Sequence, residues 1–124
     1  MQPIQKTLKL NKNKYYELHL NIINNFLPVQ MTPKEIEVLS IFMSFDGELA
    51  EKARFGSTAR KIVKEKMGIT TAGLSNYMRT LKEKGFITGD DETTYTILPI
   101  LIPEKEEQIY MFKFINFGDD RGNR

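Results

Sequence analysis

From Thr7 to Ile22 polar and apolar residues alternate: Leu8 and Leu10 flank Lys9, and Tyr16, Leu18, Leu20 and Ile22 interleave with Glu17, His19 and Asn21. A period of two belongs to a strand with one buried face, and Asn11-Lys12-Asn13-Lys14 supplies a polar hairpin connection. Tyr15, Leu18, Ile22 and Phe26 also share a helical stripe. The alternation nevertheless favours a β-hairpin, with His19 on its solvent side. After Pro28 the period changes. Thr32 stands as an N-cap, Pro33 at the first helical position and Glu35 three residues beyond the cap. Ile36, Leu39, Phe42 and Met43 then recur at the spacing of one helical face, and Asp46-Gly47 closes the helix. Residues 48–56 read as a connection with a short turn burying Leu49, Ala53 or Phe55. A second helix is capped by Ser57 or Thr58, buries Ala59, Ile62, Val63 and Met67, and ends at Gly68. Ile69 plugs the turn. Thr70 caps a third helix that runs through Lys84, buries Leu74, Tyr77, Met78 and Leu81, and closes at Gly85.

Beyond that helix the pattern turns to β. Phe86-Ile87 opens a strand, residues 88–93 form a turn-rich loop, and Thr94 to Leu98 returns as a second strand. Ile100-Leu101-Ile102, bracketed by Pro99 and Pro103, reads as extended. Ile109 to Phe117 is dense in aromatic and β-branched residues and reads as a final strand. The expected architecture is a single α+β domain over 1–124: a three-helix-plus-hairpin core at 32–98, β-rich extensions at 1–27 and 99–117, and a frayed tail at 118–124. A chain of 124 residues suits one domain, and 40% apolar with 27% charged residues is ordinary for a globule.

Charge sharpens the picture. The total is only +2, but residues 52–84 hold nine basic residues against Glu65 and Glu83, a net +7, between stretches that are each −4. Such a block is the electrostatic footprint of a nucleic-acid site, and equally of a solvated helical face.

The string Met67-Gly68-Ile69-Thr70, then Leu74-Ser75-Asn76-Tyr77-Met78-Arg79 to Lys84-Gly85-Phe86-Ile87, resembles the signature of winged helix-turn-helix regulators such as the MarR-like families. Met31 to Leu39 is similar to the opening helix of bacterial helix-turn-helix proteins. The resemblance covers residues 32–98 and implies a recognition helix over 70–84 with a hairpin wing. On that helix Asn76 and Arg79, flanked by Ser75, are the base-reading candidates, because Asn pairs bidentately with adenine and Arg with guanine. Arg60, Lys61, Lys64, Thr70, Thr71 and Lys82 are the phosphate-contact candidates. Two features depart from the family: Lys64 stands where many members keep a small Ala, and Asp90, Asp91 and Glu92 put carboxylates at the wing tip. An acidic wing is expected to point away from DNA or to bind something basic.

The expected function is duplex-DNA binding by a bacterial or phage transcriptional regulator or replication accessory that acts by occupying a site. The alternative is a structural or protein-interaction module, such as a virion or complex component, that docks through the acidic wing or the C-terminal strand. A homodimer is a further expectation. Without cysteine, with one histidine and with no nucleophile–base arrangement or phosphate-cradling glycine loop, no enzyme, cofactor or metal is expected. The absence of a long apolar run or signal-like N-terminus makes a cytoplasmic protein without membrane contact the expectation.

Overall fold

A computed structural model describes residues 5–91, 94–104 and 106–118, apart from the side chain of Lys52. The first element corrects the hairpin expected over residues 8–22: Lys12–Asn24 is a helix, α1. Asn11, assigned above to a hairpin turn, is its N-cap, accepting a hydrogen bond from the Lys14 N–H at 2.9 Å. The stripe that α1 buries is neither the alternating set nor the Tyr15–Leu18–Ile22–Phe26 set. It is Tyr16, His19, Leu20 and Ile23, continued by Leu27, while Leu18 and Phe26 stay exposed. Leu20 is fully buried and α1 packs chiefly on the next helix. Asn13 Nδ2 donates to Ser40 Oγ at 3.1 Å, and the Asn24 amide pairs with both backbone groups of Met31 at 2.7 and 3.0 Å.

That next helix, α2 (Pro33–Ser44), begins as its sequence dictates. Thr32 Oγ1 accepts from the Glu35 N–H, and Glu35 Oε1 accepts from the Thr32 N–H at 2.7 Å, closing a capping box. Ile36, Leu39, Phe42 and Met43 are buried, but so are Val38, Ser40 and Ile41. A helix buried on both sides sits at the centre of its domain. Its carboxy end is closed by a side chain rather than by glycine: Arg54 Nη1 donates to the carbonyls of Phe42, Met43 and Phe45 at 2.9, 3.1 and 3.2 Å. A guanidinium there satisfies orphan carbonyls and faces the negative end of the helix dipole. Burial lowers the Arg54 pKa, countered by the nearby Tyr16.

A short helix, α3 (Gly47–Lys52), leads to Phe55, the one of Leu49, Ala53 and Phe55 that is fully buried; its ring lies 4.7 Å from that of Phe42. Helix α4 (Ser57–Met67) has Gly56 as its N-cap residue, so Ser57 and Thr58 are helical and do not cap it. Gly68 ends it at φ 64°, a left-handed conformation that a side chain would strain. Helix α5 (Thr71–Glu83) is capped by Thr70 as expected and stops one residue short of Lys84.

The β content is smaller than the pattern implied. Strands β1 (Ile87–Thr88) and β2 (Thr96–Ile97) pair antiparallel, with Ile87 opposite Ile97 and Thr88 opposite Thr96. Gly89, at φ 143°, lets the chain turn, since a Cβ there would lie 2.7 Å from the Thr94 carbonyl oxygen. Of Ile100-Leu101-Ile102, expected to be extended, the first two belong to a 3-10 turn, Pro99–Leu101, that buries Leu101. No strand forms over Ile109–Phe117. These residues have no β partner among the described residues, and a lone strand leaves its backbone groups to water. The β-rich extensions assigned to 1–27 and 99–117 are therefore absent from the described residues, and Leu20 and Leu101 belong to the same core as the central segment.

His19 is the other correction. It is buried, not solvent-facing. Its Nε2–H donates to the Leu101 carbonyl at 3.0 Å, which leaves Nδ1 to accept from the Tyr110 hydroxyl. The imidazole thus joins α1, the 3-10 turn and the C-terminal segment. Burial lowers its pKa, partly offset by the Leu101 hydrogen bond, while burial and Tyr15 push the Tyr110 hydroxyl up to about 12. The described residues form mainly helices with one small antiparallel sheet, compatible at that level with an α+β fold.

Candidate nucleic-acid interface

The turn between α4 and α5 brings two sets of candidate side chains together. Gly68 reverses the chain, and the Gly68 and Ile69 N–H groups both return to the Lys64 carbonyl. Ile69 tucks partly against the core. Thr70 Oγ1 then accepts from the Gly73 N–H at 3.0 Å, starting α5 at a defined angle. Leu74, Met78 and Leu81 are buried, with Tyr77 partly so, which turns Ser75, Asn76, Arg79 and Lys82 to solvent.

Across the turn, Arg60 Nη2 donates to Ser75 Oγ at 3.3 Å and Lys64 Nζ donates to Thr71 Oγ1 at 3.0 Å. Lys64, bulkier than the small residue the family resemblance calls for, therefore does not wedge the helices apart. The residue is half-buried and its ammonium reaches a hydroxyl of α5. Lys61 and Thr70 are exposed nearby. Further along α5, the Arg79 guanidinium donates to Asn76 Oδ1 and to Glu83 Oε1, the latter at 3.4 Å. These exposed pairings are worth roughly 0.2–1 kcal/mol each, so a phosphate or base edge can displace them at little cost.

Lys82 lies over the Tyr95 ring, its Nζ 5.4 Å from the centroid. Tyr95 joins the hairpin to this helix, and nothing in the sequence marks it, because its position depends on the β1–β2 register. The same holds for two members of the basic block. Arg54 is spent on the end of α2, as described. Lys84 Nζ reaches the buried Glu35 Oε1 at 2.6 Å and also donates to the Gln30 carbonyl. Burial would raise the Glu35 carboxyl, but the hydrogen bonds from Lys84, the Thr32 N–H and Thr80 Oγ1, with the Lys84 charge, hold it below its ordinary value. The +7 of residues 52–84 therefore overstates the charge offered to a partner.

At the hairpin tip Asp90 and Asp91 are exposed, and both of their N–H groups donate to Thr94 Oγ1 at 3.1 Å. Glu92 lies outside the described residues. Among the described residues no group of three or more His, Cys, Asp or Glu is placed to hold a metal ion, and no helix is long and apolar enough to cross a membrane. No protein-family model matches the chain, and no curated protein or solved structure is significantly similar to it.

Proposed function

We propose that the chain is a duplex-DNA-binding protein in which α2, α4, α5 and the β1–β2 hairpin act as a winged helix-turn-helix. α5 enters the major groove, and the protein works by occupying a site, as a transcriptional regulator or replication accessory. The observation that carries this reading is the pairing of Arg60 with Ser75 and Lys64 with Thr71. It sets two cations of α4 beside the amino-terminal half of α5, where the positive end of the helix dipole also favours a phosphate. Asn76 and Arg79 follow on the exposed side and read base edges after exchanging their mutual hydrogen bond. Lys82, held over Tyr95, extends the basic row toward the hairpin.

Fluorescence anisotropy with duplex DNA at several salt concentrations tests the proposal. If Arg60, Lys61, Lys64 and Lys82 each neutralise one phosphate, log affinity falls against log salt with a slope of about −3.6 per chain. Arg79→Ala should weaken binding by about 1–3 kcal/mol. No duplex binding, a slope near zero, or unchanged affinity in Arg79→Ala overturns it. The protein-docking alternative draws support from the exposed apolar side chains of Ile109–Phe117.

A further inference from the structure

The charge of Arg79 is already engaged within α5. Its Nη1 donates to Glu83 Oε1 at 3.4 Å and its Nη2 to Asn76 Oδ1, whereas Lys64 reaches a hydroxyl and Lys82 an aromatic ring. Helix stability is a poor reason for the Arg79–Glu83 pair. A basic residue four positions before an acidic one is the weaker of the two helical orders. Glu83 is also the last residue of α5, at the negative end of its dipole. Both side chains are more than half exposed, so a ligand can reach the pair. A guanidinium has several N–H groups in one plane. Giving up Asn76 therefore leaves enough of them for the two acceptors of a guanine with the Glu83 contact intact.

We infer that Glu83 is a specificity-determining residue, which cancels the charge of Arg79 toward phosphates and leaves its hydrogen-bonding edge for guanine. The inference rests on the proposed entry of α5 into the major groove. A phosphate meets guanidinium and carboxylate together, because the two lie well within a screening length of about 8 Å. Attraction to one is offset by repulsion from the other, so Arg79 adds little to the affinity that any duplex sequence supplies through its phosphates. Guanine differs. Its O6 and N7 are neutral acceptors that take two N–H groups in a fixed geometry, and a guanidinium restrained by Glu83 is already partly ordered for them. Glu83 acts through Arg79 and is a positioning residue. It shifts Arg79 from a contact available anywhere on DNA to one available only at a guanine.

Anisotropy with a pool of random duplexes about 20 base pairs long, and with duplexes selected from that pool by the native chain, tests the inference. The selected duplexes should share a guanine that Arg79→Ala no longer selects, and that variant should bind them about fivefold or more weakly. Glu83→Gln removes the charge and keeps the shape. It should tighten binding to the random pool about fivefold at about 0.15 M salt and steepen the salt slope by about 0.9, the value of one added phosphate contact. Its affinity for the selected duplexes should change by less than about twofold, because Arg79 stays on the guanine. In an Arg79→Ala background Glu83→Gln should have neither effect on the random pool, since the charge it unmasks is gone. Both side chains are exposed, so every variant should keep the native far-ultraviolet spectrum. A native chain that binds no duplex overturns the DNA-binding reading and this inference with it. A native chain that binds duplex overturns the inference alone if its selected duplexes share no guanine, or if Glu83→Gln leaves slope and random-pool affinity unchanged. An equal gain on selected and random duplexes does the same. So does a gain that persists in Arg79→Ala, since the carboxylate would then repel DNA by itself.

Discussion

Replacing Lys84 with Met asks how much of the fold hangs on one ion pair. Glu35 is 2% exposed, and Lys84 Nζ is 2.6 Å from its carboxylate. After the substitution the carboxylate keeps only the Thr32 N–H and the Thr80 hydroxyl. Stripping the partner from a buried ion costs about 3–5 kcal/mol. Because the Lys84 side chain is 27% exposed, solvent screens part of the pair, and a loss of about 2–3 kcal/mol is expected. Unfolding a chain of this size carries an entropy of roughly 0.26 kcal/mol/K, so Tm should fall by about 8–12 °C. The pH dependence is the sharper signature. In the native chain the Glu35 pKa lies below its ordinary 4.5, so the stability it contributes is complete above that value and is lost as pH falls through the lower native one. Without Lys84, burial is opposed by two hydrogen bonds alone and most of that contribution is gone. The gap between native chain and variant should therefore be widest at neutral pH and shrink below about pH 4.5. Urea unfolding of both proteins at neutral and acid pH measures the gap. A loss under about 0.5 kcal/mol, or one that is equal at both pH values, would refute the assignment and reduce the contact to a surface ion pair.

Arg54→Met should cost about 2–3 kcal/mol in urea unfolding, because the carbonyls of Phe42, Met43 and Phe45 lose a charged donor at the end of α2. Arg54→Lys should recover only part of this, since a single ammonium does not reproduce the planar fork, and full recovery would contradict the geometry. His19, whose pKa is lowered below 6.5 chiefly by burial, is neutral in the fold and takes up its proton first in the unfolded chain. Its contribution is thus present above about pH 6.5 and lost as pH falls toward the lower native value. The native urea midpoint should drop between about pH 7.5 and about pH 5.5 by more than that of His19→Phe, and equal drops would exclude His19 as the cause.

The elements legible in the sequence are those specified within a few residues. The Thr32–Glu35 capping box, Pro33 at the start of α2, Gly68 at the end of α4 and the Thr70 cap of α5 each act through hydrogen bonds spanning one turn. One buried face of α2 and that of α5 follow from their own periodicity. Residues 12–24 satisfied two periods at once, and the tie was broken by α2, whose second apolar side needs a helix carrying Tyr16, Leu20 and Ile23. Ile109–Phe117 has every local property of a strand except a neighbour, and strand pairing cannot be read from one segment alone.

The candidate interface divides in the same way. The exposure of Ser75, Asn76 and Arg79 follows from which residues of α5 are apolar, and so was readable along the chain. Which cations remain for a partner was not. Arg54 and Lys84 carry the same charge in the sequence as Arg60 and Lys64, yet the first two are drawn into the fold by the end of α2 and by Glu35. Local sequence thus determined where α2 and α5 begin, where α4 ends and one apolar side of α2 and of α5. Tertiary structure decided whether the N-terminal stretch is helix or hairpin, where His19 lies and which charges face outward. The reason is that burial and long-range hydrogen bonding depend on what stands opposite a residue, and that is known only once the chain has folded.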